Sequence, residues 1–257
     1  MSIMVVEVLS EGLIFGADRN ITTTFPDGST AQNYNEAKVL RWPTNDVLFG
    51  FVGAARINNM PVEEWLESIR GEFKNIVGLE NIANELKERV QRQRMIDECG
   101  GSPNPLIIHI GGFEKKGGYW VPYVWHIRNV YNLGKFNYLD FRKEFICNEE
   151  IWNYFKDIDL SEIQQVLKVL AKQFNPFWFH QGLDLGTFNV LQTSIKEAFK
   201  HLCNNHPNHA VPTTIEEWEK HVRMQVLMYG SYYQAFYQQG GQYVGGGADV
   251  LSSKWPS

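Results

Sequence analysis

The sequence has few cysteines, and their spacing argues against a disulfide framework. Its three cysteines are an odd number and lie far apart in the chain, at Cys99, Cys147 and Cys203. Small secreted domains that depend on disulfides carry an even number of cysteines at close spacing. The pattern is instead typical of free thiols in a reducing compartment.

The chain also lacks a long hydrophobic run and an excess of basic residues. No segment reaches the roughly 20 consecutive apolar residues that a membrane-spanning helix requires. Lysine and arginine number 24 against 29 acidic residues, a net charge of -5, which offers no basic surface for nucleic acid. We therefore expect neither a membrane nor a nucleic acid as partner.

The amino-terminal segment does not have the features of a secretory signal. It has no positively charged start and no small-residue cleavage site, and Glu7 and Glu11 interrupt its apolar run. The sequence therefore predicts a cytoplasmic protein.

The composition is that of a globular protein with a sizeable core. Of 257 residues, 44% are hydrophobic and 14% aromatic. The chain shows no internal repeat and no low-complexity linker, and its length is at the upper end of one compact domain. We expect a single domain over residues 1–257.

Strand and helix patterns occur in groups rather than in strict alternation. Apolar β-type runs at 3–9, 13–17, 38–42 and 47–54 come first, and helical periodicity follows at 61–73 and 80–96. A run of strands from 105 to 148, helices at 160–174, 186–202 and 214–238, and a last short strand complete the chain. This order predicts an α+β fold and not a doubly wound parallel sheet.

The first two strands form a hairpin that ends at a pair of charged residues, Asp18 and Arg19. With the turn at Ser10-Glu11, antiparallel partners have residue numbers that sum to about 21, so Asp18 lies opposite Ile3. If Met1 is removed, Ser2 carries both a hydroxyl and a free α-amine, the pairing of an N-terminal nucleophile. Asp18 could orient a cation beside it, and Lys38 is the candidate cation.

These residues carry a resemblance to a known family. The stretches EGLIFGADRN and AKVLRWPTNDVLFGFVGAA resemble proteasome β-type subunits of the N-terminal nucleophile hydrolase superfamily, and bacterial proteasome-like proteins related to them. In that family an Asp lies sixteen residues after the nucleophile, and counting back sixteen from Asp18 reaches Ser2. The resemblance is firm over about the first 70 residues.

The resemblance implies a fold, an activity and an assembly. It implies a four-layer αββα sandwich with a helical insertion around 175–212, and a peptidase with Ser2, Asp18, Lys38 and Gly53 as catalytic residues, Gly53 donating its N–H to the oxyanion. It further implies a homo-oligomeric ring or helical assembly, a peptide substrate and an unfoldase partner. Neither a metal nor a cofactor is expected.

Two departures from the family pattern favour an alternative. The family has an Asp and a Ser before its late glycine turn, where this chain has QGGQYV at 239–244, and a supporting Ser is replaced by ICNE at 146–149. The alternative is a catalytically inactive, proteasome-like ring subunit that acts as a scaffold or interaction protein. Ser2 could then be only a common neighbour of the start codon, and Asp18-Arg19 a surface ion pair.

Three further patterns are weaker candidates for a site. The stretch HLCNNHPNH at 201–209 offers metal-ligating side chains but reads better as a solvated loop. His109 and His126 lie within strands and are expected in the core or at a sheet edge. The aromatic stretches at 177–180 and 229–237 are typical of packing or of a subunit interface.

Overall fold

A computed structural model supplies the arrangement of these elements. It describes residues 3–24, 30–33, 36–42, 46–58, 60–97, 105–131, 141–173, 175–181, 185–236 and 246–257.

The described residues contain thirteen strands and six helices. The strands are β1 Met4–Val8, β2 Gly12–Asp18, β3 Ile21–Thr24, β4 Thr30–Asn33, β5 Val39–Trp42, β6 Val47–Gly53, β7 Arg56–Ile57, β8 Met60–Pro61, β9 Leu106–Lys116, β10 Tyr119–Val130, β11 Phe141–Glu149, β12 Phe177–Gln181 and β13 Ala248–Lys254. The helices are α1 Val62–Phe73, α2 Leu79–Asp97, α3 Trp152–Phe155, α4 Ile163–Lys172, α5 Leu185–Asn205 and α6 Ile215–Phe236.

Two antiparallel sheets hold the longer strands. The first has the order β12-β1-β2-β13, and the second has the order β11-β10-β9-β6-β5. Two short pairs, β3–β4 and β7–β8, lie outside them. The fold is therefore a mixed arrangement of helices with antiparallel sheets, as the grouping of elements along the sequence predicted.

The two central strands of the first sheet, β1 and β2, are buried on both faces. Every residue of β1 and β2 is buried, as their continuous apolar sequences predicted. Because side chains alternate along a strand, Met4 and Val6 pack toward the second sheet while Ile3 and Val5 join a cluster with α5 and α6.

Three hydrophobic clusters place the core. One holds residues of both sheets, among them Phe15 of β2 and Leu48 of β6. A second joins the other face of the second sheet to α1 and α2, and the third joins the first sheet to α5 and α6. Each fully buried aliphatic or aromatic side chain in such a cluster stabilises the fold by about 1.5–3 kcal/mol.

The helix starts follow the local sequence. Pro61 directly precedes α1, a position that suits proline, and the negative charges of Glu63 and Glu64 in the first turn interact favourably with the positive end of the helix dipole. At α6, Thr214 and Glu217 form a reciprocal capping box: Glu217 N donates to Thr214 Oγ1 (3.2 Å), and Thr214 N donates to Glu217 Oε2 (3.2 Å).

Several elements differ from the sequence-based prediction. The segment 175–212 was expected to be a helical insertion, but it begins with a strand, β12, which pairs with β1 before α5 starts. The pairs β3–β4 and β7–β8 and the short α3 were not predicted, and α4 begins at Ile163, later than expected. A strand predicted at 135–141 lies mostly outside the described residues. In the part of the chain that is described, none of the helices has the length and apolar character needed to cross a bilayer.

Candidate functional site

The β1–β2 hairpin places Asp18 next to Ile3, the first described residue of the chain. Leu9 N donates to Gly12 O (2.8 Å) and Gly12 N to Leu9 O (3.3 Å), which closes a tight turn around Ser10-Glu11. Met4 then pairs with Ala17, so partner numbers sum to 21 and the predicted register is confirmed. At the end of the ladder Ile3 N donates to Asp18 Oδ1 (2.8 Å), and Asp18 N donates to Ile3 O (3.3 Å).

Lys38 completes a buried ion pair with Asp18. Its Nζ lies 2.9 Å from Asp18 Oδ1, and both side chains are only 1% exposed. The Nζ also donates to Asn20 O (2.5 Å), while Asn20 N donates to Asp18 Oδ2 (3.3 Å). One carboxylate therefore holds the amide of Ile3 and the ammonium of Lys38 together.

Burial sets the electrostatics of Lys38. The desolvation of its side chain lowers its pKa, and the nearby carboxylate of Asp18, with smaller contributions from Glu36 and Asp249, opposes that shift. Lysines that act in proton transfer or electrostatic catalysis are tuned in this way. The lowered pKa is compatible with a chemical role for Lys38 as well as a purely structural one.

Arg19 ties the end of β2 to the start of β13. Its Nε donates to Asp249 Oδ1 (2.6 Å), and its backbone N donates to Gly247 O (3.3 Å). The Arg19 side chain is 43% exposed and that of Asp249 is 12% exposed. The alternative interpretation of Asp18-Arg19 as a surface ion pair is therefore wrong for Asp18, which pairs with buried Lys38, while Arg19 does form a partly exposed pair with Asp249.

Gly53 ends the strand that runs beside Lys38. Phe51 N donates to Lys38 O (3.1 Å), and the alternation of a strand places the N–H of Gly53 on the same edge of β6. Gly53 is two residues further along, about 6–7 Å at the rise of a strand. Its φ is +98°, and an added Cβ would lie 2.1 Å from Pro105 O, so the chain requires glycine here.

A glycine inside a strand often marks a close approach by another backbone, and the sequence therefore predicts such an approach at both glycines of β6, Gly50 and Gly53. For Gly53 that expectation is confirmed by Pro105. For Gly50 it is wrong, because the space above it is filled by the side chain of Met4, whose Cε would lie 2.2 Å from an added Cβ.

The remaining predicted site residue, Ser2, lies outside the described residues, as does the stretch 239–244. The stretch 146–149 lies within β11. There burial raises the pKa of the Cys147 thiol to about 11, so this cysteine stays protonated and is a poor nucleophile.

The weaker candidates form no second site in the described chain. His201 and Cys203 belong to the last turns of α5, and His206 and His209 follow it on the surface. Among the residues that the structure describes, no group of three or more His, Cys, Asp or Glu side chains is placed to hold a metal ion. His109 and His126 are buried in the second sheet with ring centroids 4.4 Å apart, as core histidines.

The aromatic stretches were expected either to pack in the core or to form a subunit interface. In α6 core packing is confirmed, because Tyr229 and Tyr233 are fully buried in the cluster beneath the first sheet. The side chains of 177–180 lie outside the description.

Two residues that contact the site, Asn20 and Asp249, were not predicted from the sequence. Asn20 follows the Asp18-Arg19 pair directly, which is a signal that was available. Asp249 lies 231 positions after Asp18 in the chain (249 − 18), and only the pairing of Ala248 with Asp18 across β13 and β2 reveals it.

Comparisons with known proteins return distant structural matches alone. No protein-family model matches the chain, and no curated protein matches it. Among solved structures, Anbu (ancestral beta-subunit) from Yersinia bercovieri matches with 14% identity and a TM-score of 0.44, covering 98% of this chain and 81% of its own.

Two structures of Anbu from Hyphomicrobium sp. strain MC1 also match. One is a Gly-1 mutant, with 15% identity, a TM-score of 0.46 and coverage of 99% of this chain and 82% of that one. The other has 14% identity, a TM-score of 0.47 and coverage of 98% and 82%. The chain is similar to these Anbu structures at an identity and a TM-score too low to assign it to a family.

Proposed function

We propose that this chain is an N-terminal nucleophile hydrolase that cleaves amide bonds of peptides, with Ser2 as nucleophile once Met1 has been removed. The observation that carries the proposal is the pair of contacts to Asp18 Oδ1, one from Ile3 N and one from Lys38 Nζ. Because Ile3 N is bonded to the carbonyl carbon of Ser2, the buried ion pair lies beside the residue that would carry the nucleophile.

The proposed reaction uses groups of this chain alone. The α-amine of Ser2 takes the proton from Ser2 Oγ as that oxygen attacks a peptide carbonyl. Lys38, oriented by Asp18, stabilises negative charge at the nucleophile, and the N–H of Gly53 stabilises the oxyanion. The protonated amine then donates to the leaving amine, and water hydrolyses the acyl-enzyme by the reverse sequence.

The same proposal covers the architecture and assembly. The three hydrophobic clusters support a four-layer αββα sandwich in one domain, with helices outside two stacked sheets. We propose that the chain forms a homo-oligomeric ring or helical assembly in the cytoplasm and that this assembly binds an unfoldase as its partner.

Covalent labelling tests the nucleophile. A peptide β-lactone should acylate the wild-type protein at Ser2, and Ser2→Ala should abolish the adduct. Ser10→Ala is the matched control, because Ser10 Oγ is buried in the same hairpin and has no hydrogen-bond partner in the described part of the chain, so its loss should leave labelling unchanged. An adduct that persists in Ser2→Ala would refute the assignment.

The second candidate is a catalytically inactive subunit of the same kind of assembly, acting as a scaffold. It is supported by the stretch 239–244, which has neither the Asp nor the Ser of the family pattern. A protein that assembles normally, has lost Met1 and takes no label would favour this candidate over the hydrolase.

A further inference from the structure

Glu7 is a carboxyl group buried in the middle of the first sheet. It belongs to β1, its side chain is 0% exposed, and it faces the helices on the side of the sheet away from the second sheet. Its Oε1 accepts a hydrogen bond from Gln225 Nε2 of α6 at 2.8 Å. Among the residues that the structure describes, neither the other oxygen of Glu7, Oε2, nor Oε1 of Gln225 has a hydrogen-bond partner, and both are buried.

No group packed around Glu7 in the described chain forms an ion pair with it. Lys196 of α5 lines the same small cleft, and its Nζ donates to Asn175 Oδ1. His221 of α6 is buried, which lowers its pKa to about 4 and keeps it neutral. Tyr229 of α6 donates its hydroxyl proton to Gln192 of α5, and burial raises its pKa.

The neighbouring strands add one titratable residue. Glu7 lies opposite Ile14 of β2 and opposite Trp178 of β12, and His180 of β12 takes the register position opposite Val5. The described side chains around Glu7 are therefore neutral or already hydrogen-bonded to another residue. For His180 only its place in the strand register is described.

A single proton would satisfy both unpartnered oxygens. An ionised carboxylate only accepts hydrogen bonds, so Glu7 Oε2 and Gln225 Oε1 would remain two buried acceptors without a donor. A protonated carboxyl can donate from Oε2 to Gln225 Oε1 while Gln225 Nε2 donates to Glu7 Oε1. Buried polar groups are nearly always paired, and an unmade bond is costly.

We propose that Glu7 is a neutral carboxylic acid in the folded protein and forms a reciprocal two-bond pair with the Gln225 amide. This pair joins β1 to α6, and it exists only while the proton is present. β1 is also the strand that leads from the candidate site, so the packing of that strand on α6 is sensitive to pH.

The electrostatic environment supports this protonation state. Burial raises the pKa of Glu7 from 4.5 to about 7, against a smaller opposing effect of the Gln225 hydrogen bond. Because the folded pKa lies above the unfolded one, the stabilisation is complete below pH 4.5 and is lost as the pH rises through 7. Above that pH the folded protein holds a buried, partly unsatisfied carboxylate.

The test compares wild type with Glu7→Gln, because a glutamine side chain can form the same two bonds without titrating. Between pH 4.5 and 8 the folded-to-unfolded ratio of wild type should fall on the order of 10²-fold more than that of Glu7→Gln, as expected when folding raises the pKa from 4.5 to about 7. Glu64→Gln is the control: Glu64 is exposed, and its loss should leave the wild-type pH dependence intact. Parallel pH dependences for wild type and Glu7→Gln would overturn the proposal.

A second measurement on the wild-type protein needs no variant to fold. In protein labelled with carbon-13 at the glutamate carboxyls, NMR should show a glutamate resonance that titrates with a midpoint near 7. Where Glu7→Gln folds, that resonance should be missing from its spectrum. The proposal is wrong if every glutamate in wild type is ionised by pH 6.

Discussion

Removal of the Asp18 charge should destabilise the protein far more than removal of an exposed carboxylate. In Asp18→Asn the side chain keeps its shape and an oxygen for Ile3 N, but Lys38, 1% exposed, loses its counter-charge. Breaking a buried ion pair by removing one partner costs about 3–5 kcal/mol, because the remaining charge stays buried. We expect a loss in this range at pH 7.

The pH dependence of this loss identifies its cause. Without Asp18 the pKa of Lys38 should fall further, because the attraction that opposes desolvation is gone. Between that lower folded pKa and the unfolded value of 10.5, the unfolded state binds the proton and the folded state does not. The stability of Asp18→Asn should therefore rise with pH toward 10, relative to wild type.

A double-mutant cycle isolates the interaction. Lys38→Met removes the buried ammonium, so Asp18→Asn with Lys38→Met should cost less than the two single variants added together. For residues in direct contact we expect a coupling energy of about 1–3 kcal/mol.

Urea unfolding followed by circular dichroism between pH 6 and 9.5 supplies these values. The control is Asp46→Asn, which breaks the ion pair of Arg41 and Asp46, whose side chains are 43% and 45% exposed. Such a surface pair contributes about 0–1 kcal/mol. The account of the buried pair is refuted if Asp18→Asn costs no more than Asp46→Asn, or if the two single variants add without coupling.

Further predictions concern glycines and a thiol. Gly53→Ala should lower the free energy of unfolding by about 1–3 kcal/mol in urea titrations, since φ is +98° and the new Cβ would meet Pro105 O; an unchanged midpoint would contradict the backbone geometry. Gly71→Ala in α1, where nothing lies within 4 Å of the new Cβ, should instead raise it by about 0.5–1 kcal/mol, and a loss would show a contact that the structure lacks. Cys147, with its pKa raised to about 11, should react with iodoacetamide more slowly at pH 7.5 than a free cysteine in solution, as followed by mass spectrometry; equal rates would be inconsistent with its burial.

Local signals in the sequence account for the parts of the structure that were predicted. The Ser10-Glu11 turn and strict pairing were enough to place Asp18 beside Ile3, because a tight turn sets the register of the strands it joins. The five longer helices, but not the short α3, were found from apolar periodicity. Lys38 was named as the cation beside Asp18 from the chemistry that an N-terminal nucleophile needs, and the family resemblance implied the same role for it.

Elements that depend on distant partners were not predicted. β12 is an aromatic segment without polar alternation, and it becomes a strand by pairing with β1, whose residues lie 169 to 177 positions earlier in the chain. Glu7 appeared only as an interruption of an apolar run, because its partner Gln225 lies 218 positions away. Asp249 was missed for the same reason.

The most direct test of the central claim is the intact mass of the purified protein before and after reaction with a peptide β-lactone. If Ser2 is the nucleophile, the chain should have lost Met1 and should gain one acyl group on Ser2, and Ser2→Ala should not show this gain. A chain that retains Met1 would contradict this assignment, because the α-amine would then belong to Met1 and Ser2 would have no base.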